Sequence, residues 1–285
     1  MSSTQYEIAV SPQGFASIRQ CSSGEVMHPC GDPYQEAMSL YVEQSRLAEL
    51  LADEGFPLVV WDVGLGAACN AMAALRCAEG LGNRARDFEL VSFETNLEPL
   101  TLARSRLDLF PHVDHPAAAA LLADGSWEGA AGLRWSLLKG DFLERMFEAP
   151  LPDVIFYDPF SYKTEDAPLW TADAFAELAQ RLQRAPKPVC IYTYTRATRV
   201  RAQLLQAGFY VGHGVGTGAK SETTVAVVFG RRGAAWSAAE KAAFCAGRGV
   251  QLLGAQWLER WQRSQLRSVD LDAAVRASAQ FAGGP

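Results

Sequence analysis

A chain of 285 residues is long enough for one large α/β domain with an appendage and too short for two full-sized enzymes in tandem. With 49% hydrophobic, 10% aromatic and 20% charged residues it has the apolar surface needed to fold, which excludes disordered and fibrous classes, and no run approaches the roughly 18 apolar residues of a membrane span. The net charge of −6 argues against a protein that coats polyanions indiscriminately; yet between Arg196 and Arg267 eleven basic residues stand against three acidic ones, an excess that suits either an anionic partner or solvated helix faces.

Residues 6–10 alternate apolar and polar, the turn Ser11-Pro12-Gln13-Gly14 follows, and 15–19 return as the second strand of an N-terminal hairpin. The run 34–53 carries Ala37, Met38, Tyr41, Leu47, Leu50 and Leu51 at helical spacing, which predicts an amphipathic helix stopped near Gly55 and Pro57. From there short apolar runs alternate with helical segments. Strands are predicted at 58–61, 90–93, 133–138, 154–157, 189–195, 209–212 and 224–229, and helices at 67–78, 97–107, 172–184 and 198–207. The first five strands have the composition of strands buried on both faces of a parallel sheet; the last two, joined by a Gly-rich loop, read as an antiparallel hairpin at the sheet edge. Beyond Phe229 the pattern is helical alone, with a capping box at Ser237 and Glu240 and with Trp257 and Trp261 one turn apart. The chain thus divides into a hairpin and helix (1–56), a core (57–230) and a helical extension (231–285). Six cysteines without a Cys-x-x-Cys pair read as reduced, buried thiols, and residues 1–10 show no secretory signal, so the cytoplasm is the expected compartment.

The first core strand runs into Asp62-Val63-Gly64-Leu65-Gly66 and then a helix. A Gly-x-Gly turn there lets backbone approach a ligand at a helix N-terminus. Cys69 stands where a dinucleotide fingerprint needs its third glycine, which disfavours NAD, and a plain strand–helix turn with no ligand remains open. Glu94 closes the next strand, where a carboxylate can take both hydroxyls of a ribose, and Asp141 follows the third, within reach of an adenine amino group. Each acid alone suits a helix cap equally well. Asp158, at the end of the fourth strand and followed by Phe160, Tyr162 and Trp170, is suited to holding an amine under an aromatic ring; a capping Asp among core aromatics is the plainer alternative. The segment 214–221 imitates a phosphate loop, but Ala219 separates Gly218 from Lys220 and a strand follows; Lys220 remains a candidate phosphate contact. His112 and His115 lack the ligand pattern of a zinc site and are expected on a surface loop, so no metal is expected.

The motifs come in a definite order: Glu36-Ala37 before Tyr41-Val42, Gly64-x-Gly66 with Asn70, Phe93-Glu94, Gly140-Asp141, Asp158-x-Phe160-Ser161 with Trp170-Thr171, Ala207-Gly208-Phe209, and Gly216-x-Gly218 with Lys220 and Glu222. From about Gly31 to Phe229 the chain resembles the methyltransferase domain of the MnmC family, which methylates the aminomethyl group on the wobble uridine of tRNA. The resemblance implies a class I, Rossmann-like α/β methyltransferase with a mostly parallel seven-stranded sheet and S-adenosyl-L-methionine as cofactor. It implies that Gly64, Gly66 and Glu94, grouped with Asp62 and Asn70, hold the methionine and ribose parts, that Asp141 meets the adenine, and that Asp158 lies at the target amine. Phe160, Tyr162, Trp170, Arg196 and Lys220 fall on the substrate side. Three features depart from the family pattern: Ala68 replaces a glycine, placing a methyl near the cofactor, Tyr162 stands where proline is usual, and the loop to Trp170 is about one residue longer. The residues after Phe229 are too few for the FAD-dependent oxidase domain that MnmC carries. The expected activity is N-methylation of tRNA, with Arg196, Arg199 and Lys220 meeting phosphates. The alternatives are the same chemistry on a small amine-bearing molecule or peptide, and a non-catalytic S-adenosylmethionine-binding protein.

Overall fold

Strands that are apolar at every position offer no face to solvent, so they must be covered on both sides. The computed structural model describes residues 4–28, 31–161, 166–217, 220–230, 235–266 and 268–281. At the N-terminus β1 (Tyr6–Val10) and β2 (Ala16–Gln20) pair antiparallel with Ile8 opposite Ile18. Then α1 (Pro33–Ala37), capped by Asp32, passes directly into a π-helical turn (Met38–Glu43). The single helix expected over 34–53 is therefore broken. Arg46 adopts φ 57° and separates the π-helical turn from α2 (Leu47–Ala52), a left-handed residue that periodicity alone does not reveal.

The core follows as β3 (Leu58–Val63), α3 (Cys69–Leu81), β4 (Phe88–Glu94), α4 (Glu98–Ser105), α5 (Pro116–Asp124), β5 (Ser126–Glu128), β6 (Leu133–Lys139), α6 (Phe142–Arg145), β7 (Val154–Tyr157), α7 (Ala172–Leu182), β8 (Val189–Thr193), α8 (Thr198–Gln206), β9 (Tyr210–Gly214) and β10 (Thr223–Val228). The remainder is α9 (Ala238–Gly247), β11 (Gln251–Leu252), α10 (Ala255–Gln262) and α11 (Val269–Ala277). One sheet runs in the order β11-β9-β10-β8-β7-β3-β4-β6-β5. Strands β6, β4, β3, β7 and β8 are mutually parallel, and β10 lies antiparallel between β8 and β9. All seven expected strands are in the sheet, and two more, β5 and β11, extend it to nine. They are too short, at three and two residues, to register as a pattern. Because β11 pairs with β9, the hairpin is not the edge, and the segment beyond Phe229 is not helix alone.

Along β3, Leu58 and Val60 enter one apolar cluster while Val59, Trp61 and Val63 enter the other, so the alternation of a strand builds two cores, one on each face of the sheet. The connections from β3 lead to β4 on one side, whereas β7 lies on the other. A crevice therefore opens between β3 and β7 at their C-terminal ends, where the strand order reverses. Its walls approach closely. Gly64 has φ +88°, and a Cβ there would lie 2.7 Å from the Asp158 carbonyl oxygen and 2.8 Å from Pro159 Cα.

Beneath the crevice, Asp62 is fully buried and accepts a hydrogen bond from Ser92 Oγ (2.8 Å), which itself accepts from Trp135 Nε1 (2.9 Å), so one polar chain ties β3 to β4 and β6. Burial pushes the Asp62 carboxyl up to about 8, against the pull of the Ser92 bond. The unfolded chain releases this proton near the ordinary aspartate value and the folded chain keeps it, so this residue's contribution to stability falls as pH rises from about 4 to about 8. Asp62→Asn, which retains an acceptor for Ser92, is expected to raise the melting temperature more at pH 8 than at pH 5; equal shifts at both would show that Asp62 is ionised in the fold. Gly64→Ala is expected to cost about 1–3 kcal/mol in urea unfolding, through a strained φ and overlap with the β7 backbone. An unchanged midpoint would mean the two walls are not in contact.

Candidate functional site

A cavity of about 630 Å³ lies over the C-terminal ends of β3, β4 and β7. Its floor is the turn after β3, where Gly64 and Gly66 (φ +51°) bring bare backbone to the surface of the crevice. Gly66 N–H donates to Glu94 Oε2 (3.0 Å), while Oε1 accepts from the backbone N–H groups of Thr95 (2.8 Å) and Asn96 (3.0 Å). Burial raises the Glu94 pKa even against these donors. Asp141 caps α6, with Oδ1 accepting from Leu143 (2.8 Å) and Glu144 (3.3 Å). Both bonds fall on Oδ1, so the capping role leaves Oδ2 for the cavity.

Asp158 stands at the end of β7, and its Oδ2 accepts from Asn70 Nδ2 on the first turn of α3 (2.6 Å). Burial pushes its carboxyl up to about 6, opposed by the charge of His28 and by the Asn70 hydrogen bond. A neighbouring polar network reaches in from the N-terminal region. His28 Nδ1 donates to Glu36 Oε2 (3.0 Å), and Thr217 Oγ1 donates to Glu36 Oε1 (2.9 Å). Although burial works against its charge, bonding to Cys69 and Glu36 holds the His28 imidazole well above the ordinary histidine range. Cys69, the first residue of α3, lies 3.3 Å from His112 Nε2, which donates to the Ala67 carbonyl (2.8 Å). Burial would raise this thiol, but His112 and His28 together draw it down to about 6.

Gly64, Gly66, Asn70, Glu94, Asp141, Asp158, Phe160 and Lys220 all line this one cavity. Asp62 does not: it sits beneath, bonded to Ser92, and is not among the lining residues. Trp170 is buried behind the wall, where its Nε1 donates to the Phe160 carbonyl (2.6 Å) and braces the segment after β7 from outside. Tyr162 lies outside the described residues. Arg196 is exposed and Lys220 rests its Nζ 4.5 Å from the centre of the Tyr194 ring. Ala68 is fully buried at φ 62° and is not among the lining residues, so its methyl is directed into the protein and away from the cavity. Arg201, counted in the basic region, is fully buried and paired with Glu222 (2.9 Å), where it is withdrawn from any partner. His112 is likewise buried and no part of a surface loop.

His28, Glu36, Tyr41, Cys69 and Tyr194 also line the cavity, and sequence reasoning did not assign them to a site. Glu36 and Tyr41 stood within an ordered motif, which was a usable signal; His28, in an irregular segment, carried none. Residues 24–28 cover the cavity: Met27 Sδ lies 3.0 Å from where a Gly66 Cβ would be, and Glu25 accepts from Ser161 N–H (3.0 Å) and Oγ–H (2.6 Å). Among the described residues no three His, Cys, Asp or Glu side chains are grouped to hold a metal, and no helix is long and apolar enough to cross a membrane.

Residues 128–228 match a family described as S-adenosyl-L-methionine-dependent methyltransferase. The chain is 31% identical over 218 residues to the tRNA 5-methylaminomethyl-2-thiouridine biosynthesis bifunctional protein MnmC of Pseudomonas paraeruginosa, covering 70% of this chain and 32% of that protein. It is 30% identical over 217 residues, with the same coverage, to the protein of that name from Pseudomonas aeruginosa. It therefore spans about a third of the length of these relatives. In fold it is similar to the crystal structure of MNMC2 from Aquifex aeolicus, with a TM-score of 0.66 at 22% identity, over 95% of this chain and 81% of that one. The chain is an S-adenosyl-L-methionine-dependent methyltransferase of the class I fold, related to the methyltransferase part of MnmC.

Proposed function

We propose that this enzyme methylates the aminomethyl group of a wobble uridine in tRNA, with Asp158 at the reacting nitrogen. One observation carries the reading: the half-buried Asp158 carboxylate, the bare-backbone glycine turn and Glu94 open into a single cavity at the reversal of strand order. The donor set suits the cofactor. The glycine turn leaves no room for a side chain, Glu94 offers a carboxylate to a ribose, and Asp141 offers one oxygen to an adenine amino group. In this reading Gly64, Gly66 and Glu94 hold the methionine and ribose portions and Asp141 the base, residues 57–230 are the catalytic unit, 1–56 its roof and 231–285 its brace. When bound, S-adenosylmethionine supplies an electrophilic methyl group on a sulfonium sulfur. Asp158 orients the neutral amine and stabilises the positive charge that develops on nitrogen, and a fixed carboxylate is most effective where water is excluded. Phe160 offers its ring to the planar base, held by the Trp170 bond to its carbonyl. The name of the relatives and the exposed Arg196 and Arg199 favour tRNA. A small amine-bearing molecule is the second reading, favoured by the Glu25 contact to Ser161, which narrows the acceptor end.

Asp158→Asn is expected to lower turnover by about 10²–10³-fold while calorimetric affinity for S-adenosylmethionine is retained. Wild-type turnover is expected to fall as pH drops through about 6, because protonation removes the charge that holds the amine. Full activity in the Asn variant removes Asp158 from the reaction. Transfer of labelled methyl groups into bulk tRNA, compared with total metabolite extract, separates the two acceptors. If tRNA is the acceptor, binding weakens steeply with salt, and Arg196→Ala or Arg199→Ala each reduces the slope of log K against log salt by about one; a flat dependence favours the small molecule.

A further inference from the structure

Beside Asp158 one buried oxygen, Asn70 Oδ1, completes no hydrogen bond among the described residues, and a second, the Tyr41 hydroxyl, turns its hydrogen to the Asp158 carboxylate and keeps its lone pairs over. Such atoms are rare in folded proteins and call for a partner. The Asn70 orientation is chemically determined, since only its amide NH₂ can donate to the Asp158 carboxylate, and Oδ1 is therefore the atom left over. Tyr41 is 1% exposed, and its ring packs on Phe156 with centroids 5.1 Å apart. Burial first, and then the charge of Asp158 and a hydrogen bond to its carboxylate, hold its hydroxyl protonated. Both residues line the same cavity as Asp158, Tyr41 from within the π-helical turn.

We propose that Asp158, Asn70 Oδ1 and the Tyr41 hydroxyl form a three-oxygen cradle that selects a primary aliphatic amine and limits transfer to one methyl group. This rests on the amine-methyltransferase reading of the site and adds the atoms that choose the amine. A neutral primary amine has two N–H groups for the cradle and a lone pair to spare. The nitrogen lone pair forms the new N–C bond as the S–C bond breaks, the bonding pair stays on sulfur, and the product ammonium sheds one proton to water. A neutral secondary amine has one N–H left. To present its lone pair again it must turn a methyl group against one of the oxygens, which is then buried without a partner.

The test uses the full chain, S-adenosylmethionine and tRNA whose wobble uridine carries an unmethylated aminomethyl group, with nucleosides identified by mass spectrometry. Tyr41→Phe removes only the hydroxyl and is expected to lower kcat about tenfold, with S-adenosylhomocysteine affinity unchanged, and to yield dimethylated product that the wild type does not make. Asp158 is faced by His28, by Glu36 on α1, by Tyr41 in the π-helical turn, by Asp62 on β3 and by Tyr194 after β8. Asn70→Ala leaves these in place and removes the bond that favours the carboxylate, so the acid limb of its kcat profile is expected to move to higher pH. Wild-type kcat, product ratio and pH limb in both variants overturn the cradle while leaving the methyltransferase reading intact. Absence of transfer to this tRNA by the wild type overturns the acceptor and the cradle with it.

Discussion

The close approach of two strand ends sets everything else in this structure. The turn after β3 passes so near the backbone of Asp158 and Pro159 that only glycine fits at position 64. That contact makes the crevice narrow enough for backbone and side chains from opposite walls to meet one ligand. It also brings Asn70, on the helix leaving one wall, into hydrogen-bond range of Asp158 on the other. The parallel sheet, covered on both faces, supplies the rigidity that keeps the two walls at this separation.

Low local dielectric explains the electrostatics around that contact. Cys69 is buried and Asp158, Glu36 and His28 are half-buried, and each has an opposite charge or a donor close by. The network therefore persists as a set: removing one member would leave another buried charge uncompensated. Asp62 is the exception. Ser92 alone does not offset its burial, so it stays protonated and acts as a structural acceptor beneath the site.

Much of this was legible in the chain itself. The seven longer strands and the glycine turn announced themselves because buried strands are uniformly apolar and because a tight turn demands glycine. The acids at the ends of β4, β6 and β7 were legible for a related reason, their position after an apolar run. What escaped detection was set by tertiary context. Arg46 breaks a well-patterned helix through one left-handed residue, and β11 is two residues that pair only because β9 offers an edge. Arg201 has the sequence signature of surface charge, but Glu222, Thr223 and Thr224, distant in the chain, surround its guanidinium. His28 and Cys69 sit far apart in sequence and carry no motif, so no spacing rule connects them.

The π-helical turn at Met38–Glu43 sets the relative facing of the residues on either side of it. Each residue in a helix turns the chain by about 100°, so the widened turn decides which side chains upstream and downstream face the same way. Deleting a single position there would tighten the coil and swing Glu36 and Tyr41 out of alignment with each other. The segment can therefore accept exchanges of side chain far more readily than any change in its length.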